Sequence, residues 1–245
     1  MNGWGITHQG MVRKQNQDAF AFEYLKGDRM IALVCDGMGG ARAGNVASEM
    51  AVNIFMQEFL YSPAVHEESE QQRMERSAAR ANGEIFHRSN VDPDCKGMGT
   101  TLVAAYLKQN EALILNEGDS RAYYITREGI SRVTQDHSLV EELLRQGKIT
   151  PEQARVYPHK NYITRALGAE SRLHTDCFYQ KMEQNSYLLL CSDGLSNMVG
   201  EQEILYEVMY GGDPADCCQR LLEIALKRGA PDNVTVVLLQ HDGSK

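Results

Sequence analysis

The sequence predicts an α+β fold in which helices and strands form separate layers, and three observations support this prediction. Short apolar segments that are typical of strands occur in groups. Two long helical stretches follow the first of these segments, and another helical stretch precedes the last one. The strict βαβ alternation that a parallel doubly wound sheet requires is missing.

The strand predictions rest on short runs rich in Val, Ile, Leu and Tyr, several of them ended by Gly, Asn or Asp. The predicted strands are residues 30–35, 101–107, 112–115, 121–125, 187–191 and 234–239. The runs are apolar or alternate between apolar and polar residues, and both patterns are typical of strands.

The helix predictions rest on periodicity and on capping residues. Residues 43–60 place apolar side chains three or four positions apart, which predicts a helix with one buried face. Residues 66–89 are more polar and predict a second, more exposed helix. Asp213 followed by Pro214 is typical of a helix start, and Gly229 is typical of a helix end.

Residues 139–162 differ from the rest of the chain because they are polar and carry only short helical signals. They predict a helix over 139–146, a turn at Gly147 and a second short helix that begins at Pro151. Such an excursion between strands is typical of a flap that faces substrate. We therefore expect one domain over residues 1–245, with a small helical flap inserted at 139–162.

Composition limits the possible functions. The 245 residues carry a net charge of −8, so nucleic acid binding is not expected to be the main role, and phosphate binding would need metals or a few placed arginines. The six cysteines form no C-x-x-C pair, so we expect core residues and not a disulfide or zinc framework. Neither a signal sequence nor a membrane-spanning run is evident, and we expect a cytoplasmic protein.

Acidic residues recur where predicted strands end. Residues 31–35 lead into Asp36-Gly37, and residues 188–192 lead into Asp193-Gly194; further acids near strand ends are Asp18, Asp119 and Asp232. Carboxylates that converge on one sheet edge repel each other unless cations or protons neutralise them. Their hard oxygen atoms suit Mg²⁺ or Mn²⁺, and two such ions about 3.5–4 Å apart can bind a phosphate and activate water. Arg13 is a candidate ligand for that phosphate because guanidinium groups bind phosphate in bidentate fashion.

Each of these signals also has an ordinary structural explanation. Asp-Gly and Asp-Asn after a strand are common turn sequences. Arg13 alone could be a solvated surface charge. The repeated strand-Asp-Gly pattern makes a functional explanation about as plausible as a structural one, and composition and spacing go no further.

The motifs, taken in order, carry a family resemblance. They are GMVRKQNQD (10–18), VCDGMGG (34–40), GMGTT (97–101), GDSRAY (118–123), DHSLV (136–140), ITRALG (163–168), CSDGL (191–195) and DNVT (232–235). Together they span almost the whole chain, and the chain resembles the bacterial metal-dependent serine/threonine phosphatases of the PP2C (PPM) family.

That resemblance implies a central sandwich of two antiparallel sheets flanked by helix pairs, with a metal centre in a cleft at one end. It implies that Asp36 bridges two divalent cations, Mn²⁺ or Mg²⁺, with the Gly37 carbonyl on the second. Asp193 and Asp232 would complete the first site, and Asp18 would act through metal-bound water. Asp119 would help to hold a weaker third cation near the flap, and Arg13 would bind the substrate phosphate.

Other motif residues are expected to have structural roles. Asp136 and Ser138 would cap a helix, Thr100 and Thr101 would pack or form hydrogen bonds, and Arg121 would form ion pairs. His137 is also interpreted as structural.

Four positions depart from the family pattern. Ala41 and Asn45 replace a His and a Glu of many bacterial relatives, and Gln17 and Met38 replace a Glu and a His of animal relatives. Every acid expected to bind metal is present, so we expect activity to be retained.

The predicted reaction is a one-step attack of metal-activated water on phosphoserine or phosphothreonine in proteins. Two alternatives remain: a two-metal hydrolase acting on phosphodiesters or small phosphates, and a non-catalytic phosphoprotein-binding module. The resemblance also implies a bacterial Ser/Thr kinase among the substrates. We expect a monomer without nucleic acid or membrane partners.

Overall fold

The computed structural model describes residues 1–63, 67–155, 157–158 and 162–243, and for residues 40–42 and 155 the backbone only. Two antiparallel sheets form its centre. The first contains β1 (Asn2–His8), β11 (Val234–His241), β10 (Ser186–Cys191), β7 (Arg121–Thr126) and β8 (Gly129–Arg132), in that order. The second contains β2 (Asp18–Leu25), β3 (Arg29–Met38), β5 (Leu102–Lys108), β6 (Glu111–Glu117) and β9 (Asp176–Lys181), with β4 (Gly99–Thr100) paired to the end of β3.

Helices cover the outer face of each sheet. The second sheet packs against α1 (Gly40–Tyr61) and α2 (Glu70–Val91), and the first packs against α6 (Glu201–Tyr210) and α7 (Cys217–Lys227). A third apolar cluster fills the space between the two sheets. The layers are therefore helix, sheet, sheet, helix, and the predicted α+β class and flanked double sheet are confirmed.

Strand β3 explains why a continuous apolar run forms the centre of such a fold. Its alternate side chains Met30, Ala32 and Val34 point between the sheets. Ile31, Leu33 and Cys35 point toward the helices, and all six are fully buried. Because both faces of the strand are covered, polar residues have no place on either face.

The flap contains α3 (Leu139–Arg145) and α4 (Pro151–Arg155), which confirms the two predicted short helices. Gly147, with φ of +65°, lies in the turn between them, and Ser138 caps α3 by accepting a hydrogen bond from Glu141 N. The prediction that Asp136 caps this helix is wrong. Its carboxylate instead accepts hydrogen bonds from Arg121, at 2.6 Å from Nη2, because the arginine on β7 offers a fixed planar donor. Residues 156 and 159–161 of the predicted flap lie outside the described residues.

Other helix ends differ slightly from prediction. The second long helix begins after a capping box at Ser69; the predicted start at residue 66 lies outside the described residues. Asp213 and Pro214 begin a short 3₁₀ helix (Pro214–Asp216), and α7 follows it. Gly229 follows the end of α7 with φ of +96°, as its interpretation as a helix stop requires. Within the ranges given above, no helix is long and apolar enough to span a bilayer.

Candidate metal centre

The predicted acids meet at one end of the sandwich because neighbouring strands end there. Asp36 lies near the end of β3, and its pairing partner on β2 is Asp18. Asp193 begins α5 (Asp193–Ser196), separated from β10 only by Ser192, and Asp232 shortly precedes β11. A cleft of about 610 Å³ is lined by Arg13, Asp36, Gly37, Asp119, Asp193 and Asp232, with neighbours that include Gln17 and Met38. Residues up to 219 positions apart in the chain therefore share one site.

The backbone at Asp36 is fixed by hydrogen bonds on both sides. Its N–H donates to Thr101 Oγ1 at 2.9 Å, and its carbonyl accepts from Thr101 N at 2.9 Å and from Thr100 Oγ1 at 2.9 Å. The two threonines are buried, and Thr101 also shares a hydrogen bond with Ser120. The predicted hydrogen-bonding role of the threonines is confirmed, and it leaves the Asp36 side chain as the part that faces the cleft.

Gly37 is required because the chain passes close to other backbone. Its N–H donates to Gln17 O at 3.0 Å. A Cβ at this position would overlap the carbonyl oxygen of Gly44 in α1 and would lie 2.6 Å from Gln17 O. Only glycine fits between these two segments, so the first turn of α1 can approach the strand that carries Asp36.

Asp18 is held beneath the cleft by two hydroxyl groups. Ser192 Oγ and Thr235 Oγ1 both donate to its Oδ2, at 2.7 and 2.6 Å. Its other oxygen, Oδ1, is buried and has no hydrogen-bond partner among the described residues. Burial raises the pKa of Asp18 to about 7 despite the two hydroxyls, and the charges of Asp193 and Asp232 add to the effect.

Asp36, Asp119 and Asp193 also have raised pKa values. Burial is the largest cause for each, followed by a neighbouring carboxylate. It raises the pKa of Asp36 well above its usual range, with the charge of Asp18 as the next-largest cause, and raises that of Asp119 to about 8, with the charge of Asp193 next. For Asp193 the pKa is about 6, with Asp232 as the main neighbouring charge. At neutral pH this cluster binds protons or cations, because its charges would otherwise repel each other.

Arg13 reaches the cluster from the loop between β1 and β2. Its Nη2 donates to Asp232 Oδ2 at 2.7 Å, and this bond raises the pKa of the guanidinium. About half of the Arg13 side chain is exposed, so the guanidinium also faces the open cleft. The arginine therefore lies close enough to Asp232 to respond to any cation that binds there.

Asn233, directly before β11, holds the Arg13 loop in place through three hydrogen bonds. Its Nδ2 donates to the carbonyls of Gln9 and Gln15 at 2.9 and 3.0 Å, and its Oδ1 accepts from Gln17 N at 2.9 Å. The side chain is 3% exposed, so all three bonds are shielded from water. Asn233 thus holds the loop on both sides of Arg13.

The Asp119 turn is supported by His137. Gly118 N donates to His137 Nδ1 at 3.1 Å, and the ring's Nε2 lies 3.1 Å from Asp176 Oδ2. Because Nδ1 accepts a hydrogen bond, the proton of the neutral ring lies on Nε2. Burial lowers the pKa of His137, in agreement with the neutral form. The histidine therefore contacts the turn, and it is not among the described residues that line the cleft.

The flap borders the opposite side of Asp119 and Asp193. A second cavity of about 730 Å³ is lined by these two acids, by flap residues that include Val140 and Leu144, and by the ion pair of Arg121 and Asp136. Arg121 thus forms the ion pair predicted for it.

The donor set fits divalent cations. The cleft offers several carboxylates, and the Asp193 Oδ1 atom is buried without a hydrogen-bond partner in the described part of the chain. Oxygen atoms of this kind are the preferred ligands of Mg²⁺ and Mn²⁺. No three His, Cys, Asp or Glu side chains within the described ranges already surround one point as ligands. Arg13 Nη2 donates to Asp232 Oδ2, a carboxylate oxygen that a cation bound at this position would also use.

Two of the four departures from the family pattern lie in the cleft. Gln17 and Met38 both line it, whereas Asn45 lies on α1 and the side chain of Ala41 is outside the described residues. The sequence analysis missed the supporting roles of Ser192, Thr235 and Asn233. Ser192 and Asn233 adjoin predicted ligands, which was the available signal, but their partners are 174 to 224 positions away.

Three comparisons relate the chain to known proteins. The family model for protein phosphatase 2C matches residues 8–211. The serine/threonine phosphatase stp of Listeria monocytogenes serotype 4b is 40% identical over 240 residues, which cover 96% of this chain and 94% of that protein. The protein phosphatase PhpP of Streptococcus pneumoniae is 36% identical over 234 residues, covering 96% and 95%.

Solved structures give the same result. The serine/threonine phosphatase Stp1 from Staphylococcus aureus matches with a TM-score of 0.90 and 34% identity, covering 96% of this chain and 93% of that one. The catalytic domain of the phosphatase PstP, solved in complex with two manganese ions, matches with a TM-score of 0.83 and 31% identity, covering 97% and 96%.

Proposed function

The chain belongs to the protein phosphatase 2C family and is a protein serine/threonine phosphatase, and from that premise we propose that two divalent cations in the described cleft enable it to hydrolyse phosphoserine and phosphothreonine. Asp36, Asp193 and Asp232, with the Gly37 carbonyl, would hold these cations. Asp18 would orient the water around them, and Asp119 would help to hold a weaker third cation. The proposal rests on four aspartates that line one cleft, Asp36, Asp119, Asp193 and Asp232. Three of them have raised pKa values, and the fourth, Asp232, forms an ion pair with Arg13.

Each residue contributes by position or charge. Divalent cations bound here would supply positive charge for the phosphoryl oxygens and would lower the pKa of water. Arg13 donates to the phosphoryl oxygens and fixes the phosphoester in the cleft. Asn233 keeps the Arg13 loop in place, and Ser192 and Thr235 fix the direction of the Asp18 carboxylate. Cys35 and Cys191 are fully buried in the helix-facing clusters, so neither thiol can reach a substrate.

The metals are proposed to be Mn²⁺ or Mg²⁺, and the manganese complex of PstP supports this choice. The test is a titration of phosphothreonine-peptide hydrolysis with each metal, with EDTA as the control. We expect activity to saturate with metal and to disappear in EDTA. Asp36→Asn should abolish it while circular dichroism stays that of the wild type. Near-wild-type turnover in Asp36→Asn, or full activity in EDTA, would reject the proposed centre.

A bacterial Ser/Thr kinase is the proposed source of the phosphoprotein substrates, because such kinases form the ester that this reaction cleaves. Incubating an autophosphorylated kinase of this type with the enzyme should release its phosphate; retention of all phosphate on every kinase tested would contradict the proposal. We also propose that residues 1–245 act as one domain and as a monomer, which analytical ultracentrifugation tests. The cytoplasmic location stays a prediction.

A further inference from the structure

A second groove lies beside the catalytic cleft. Its volume is about 590 Å³, close to that of the cleft itself, and most of its lining surface is apolar. Its lining residues include Met38, Phe86, Val91, Met98, Ala166 and Ala169. Met98 is 1% exposed and Ala166 8%, whereas Val91, the last residue of α2, is 62% exposed. An exposed valine above buried apolar side chains forms a surface that could cover an apolar side chain of a ligand.

The groove and the cleft share one wall. Met38 lines both of them, and it pairs with Gly99 of β4, which lines the groove. Met38 is two residues beyond Asp36 on the same strand. At about 3.3 Å per strand residue, the groove begins roughly 7 Å from Asp36. Two residues of an extended peptide span that distance.

Cations lie along this side of an otherwise acidic protein. The chain has a net charge of −8, yet Arg13 and Lys14 line the cleft and Lys96 lines the groove. Asp92, the groove's lining acid, accepts hydrogen bonds from Asp94 N and Cys95. Lys96 has no ion pair within the parts of the chain that the structure describes. The arrangement complements a polypeptide that is anionic near its phosphorylated residue.

We infer that this groove binds the segment next to the phosphoserine or phosphothreonine of a protein substrate. The inference rests on the proposed function, because it places the phosphoryl group in the cleft. An apolar side chain two to four residues from the phosphorylated residue enters the groove against Val91 and Met98, and an acidic one faces Lys96. The groove thus gives the enzyme a preference for sequence around the phosphoryl group, which the cleft alone does not provide.

The test compares two phosphothreonine peptides that differ only in carrying leucine or glycine at the positions two to four residues from the phosphothreonine. 4-Nitrophenyl phosphate, which has no polypeptide, serves as the reference substrate. Val91→Gln removes the exposed apolar contact and Lys96→Gln removes the charge. The matched controls are Tyr61→Gln, at the exposed end of α1, and Lys26→Gln, in the exposed turn that joins β2 and β3 at the ends opposite Asp18 and Asp36.

We expect the wild type to prefer the leucine peptide. In Val91→Gln, kcat/KM for the leucine peptide relative to 4-nitrophenyl phosphate should fall about tenfold, which corresponds to one buried aliphatic side chain. The glycine peptide should show little change, and both controls should keep the wild-type ratio. Lys96→Gln should lower the ratio for peptides with an acidic flank.

Three results would overturn the inference. If both groove variants keep the wild-type ratio while Asp36→Asn is inactive, the phosphatase proposal stands and the groove does not bind substrate. If Val91→Gln instead changes the sedimentation coefficient, the groove binds a second copy of the chain. If the wild type with metal hydrolyses neither peptide nor 4-nitrophenyl phosphate, the proposed function itself has failed.

Discussion

Replacing Asp193 by asparagine separates the electrostatic cost of the carboxylate cluster from its ability to bind cations. The charge of Asp193 raises the pKa of the Asp36 carboxyl, and Asn197 Nδ2 donates to Asp193 Oδ2 at 3.0 Å. Asparagine has nearly the same shape and keeps an oxygen for the bond from Asn197. The substitution therefore removes one negative charge with little change in packing.

The expected gain follows from the raised pKa. Burial and then the charge of Asp232 raise the pKa of Asp193 from 3.8 to about 6. The unfolded chain loses this proton more easily than the folded chain, so the wild type loses stability between about pH 4 and pH 6, and the loss remains above that range. Two pKa units correspond to about 3 kcal/mol. Because the proton is shared with neighbouring acids, we expect a gain of about 1–2 kcal/mol for Asp193→Asn at pH 7.5 in EDTA, or roughly 3–6 °C in Tm.

Thermal unfolding in EDTA and in Mn²⁺ measures both effects. Saturating metal at a hundred times Kd should stabilise the wild type by about 2.7 kcal/mol, and the variant should gain much less because a ligand is missing. The order of stability should then reverse: the variant is more stable in EDTA and the wild type is more stable in Mn²⁺. Asp216→Asn, an exposed acid whose side chain forms no cap hydrogen bond, is the control for loss of charge.

Two results would refute this reasoning. An Asp193→Asn variant less stable than the wild type in EDTA, with Asp216→Asn unchanged, would mean that repulsion in the cluster does not destabilise the fold. Equal stabilisation of variant and wild type by Mn²⁺ would mean that Asp193 is not a metal ligand.

Three further predictions concern the groups around the cluster. Arg13→Ala should raise KM for a phosphopeptide about tenfold and lower kcat less, because it removes a charged hydrogen bond to phosphate; unchanged steady-state kinetics would exclude Arg13 from the site. Asn233→Ala should lower the free energy of unfolding by about 2–4 kcal/mol in a urea titration, because three buried backbone groups lose their partner; a change below 0.5 kcal/mol, on the order of a surface substitution, would contradict this. Gly37→Ala should destabilise by more than about 3 kcal/mol because its Cβ overlaps backbone, whereas Gly83→Ala, with nothing within 4 Å of its Cβ, should stabilise α2 by about 1 kcal/mol; equal melting temperatures of the two variants would be the contrary result.

The strands that the sequence predicts are the ones with covered faces. Strand β3 has apolar side chains on both faces, so its composition alone identifies it. Strands β1, β2, β4, β8 and β9 were not predicted. In β1, Gly5 makes room for the Phe20 ring of β2, since its Cβ would lie 3.1 Å or less from three ring atoms. Such a strand is fixed by its neighbours, and its own sequence carries little β propensity.

The candidate site divides in a similar way. Asp36 and Asp193 could be predicted because a buried strand leads directly into each acid. The bond from Thr235 to Asp18 could not, because nothing local links two residues 217 positions apart. The local sequence also gives no sign of the Arg13–Asp232 ion pair. The family resemblance predicted that Arg13 binds phosphate, but not that it pairs with this carboxylate.

Because β1 pairs with β11, the enzyme can become active only after β11 has been synthesised. Asp18 and the Arg13 loop leave the ribosome before Asp232, Asn233 and Thr235, and Thr235 lies 217 positions after Asp18. All seven residues of β1 then find their partners on β11. A nascent chain can therefore form α1, α2 and the flap while it still cannot dephosphorylate anything, and a product that stops before residue 232 should be inactive however well its remaining strands fold.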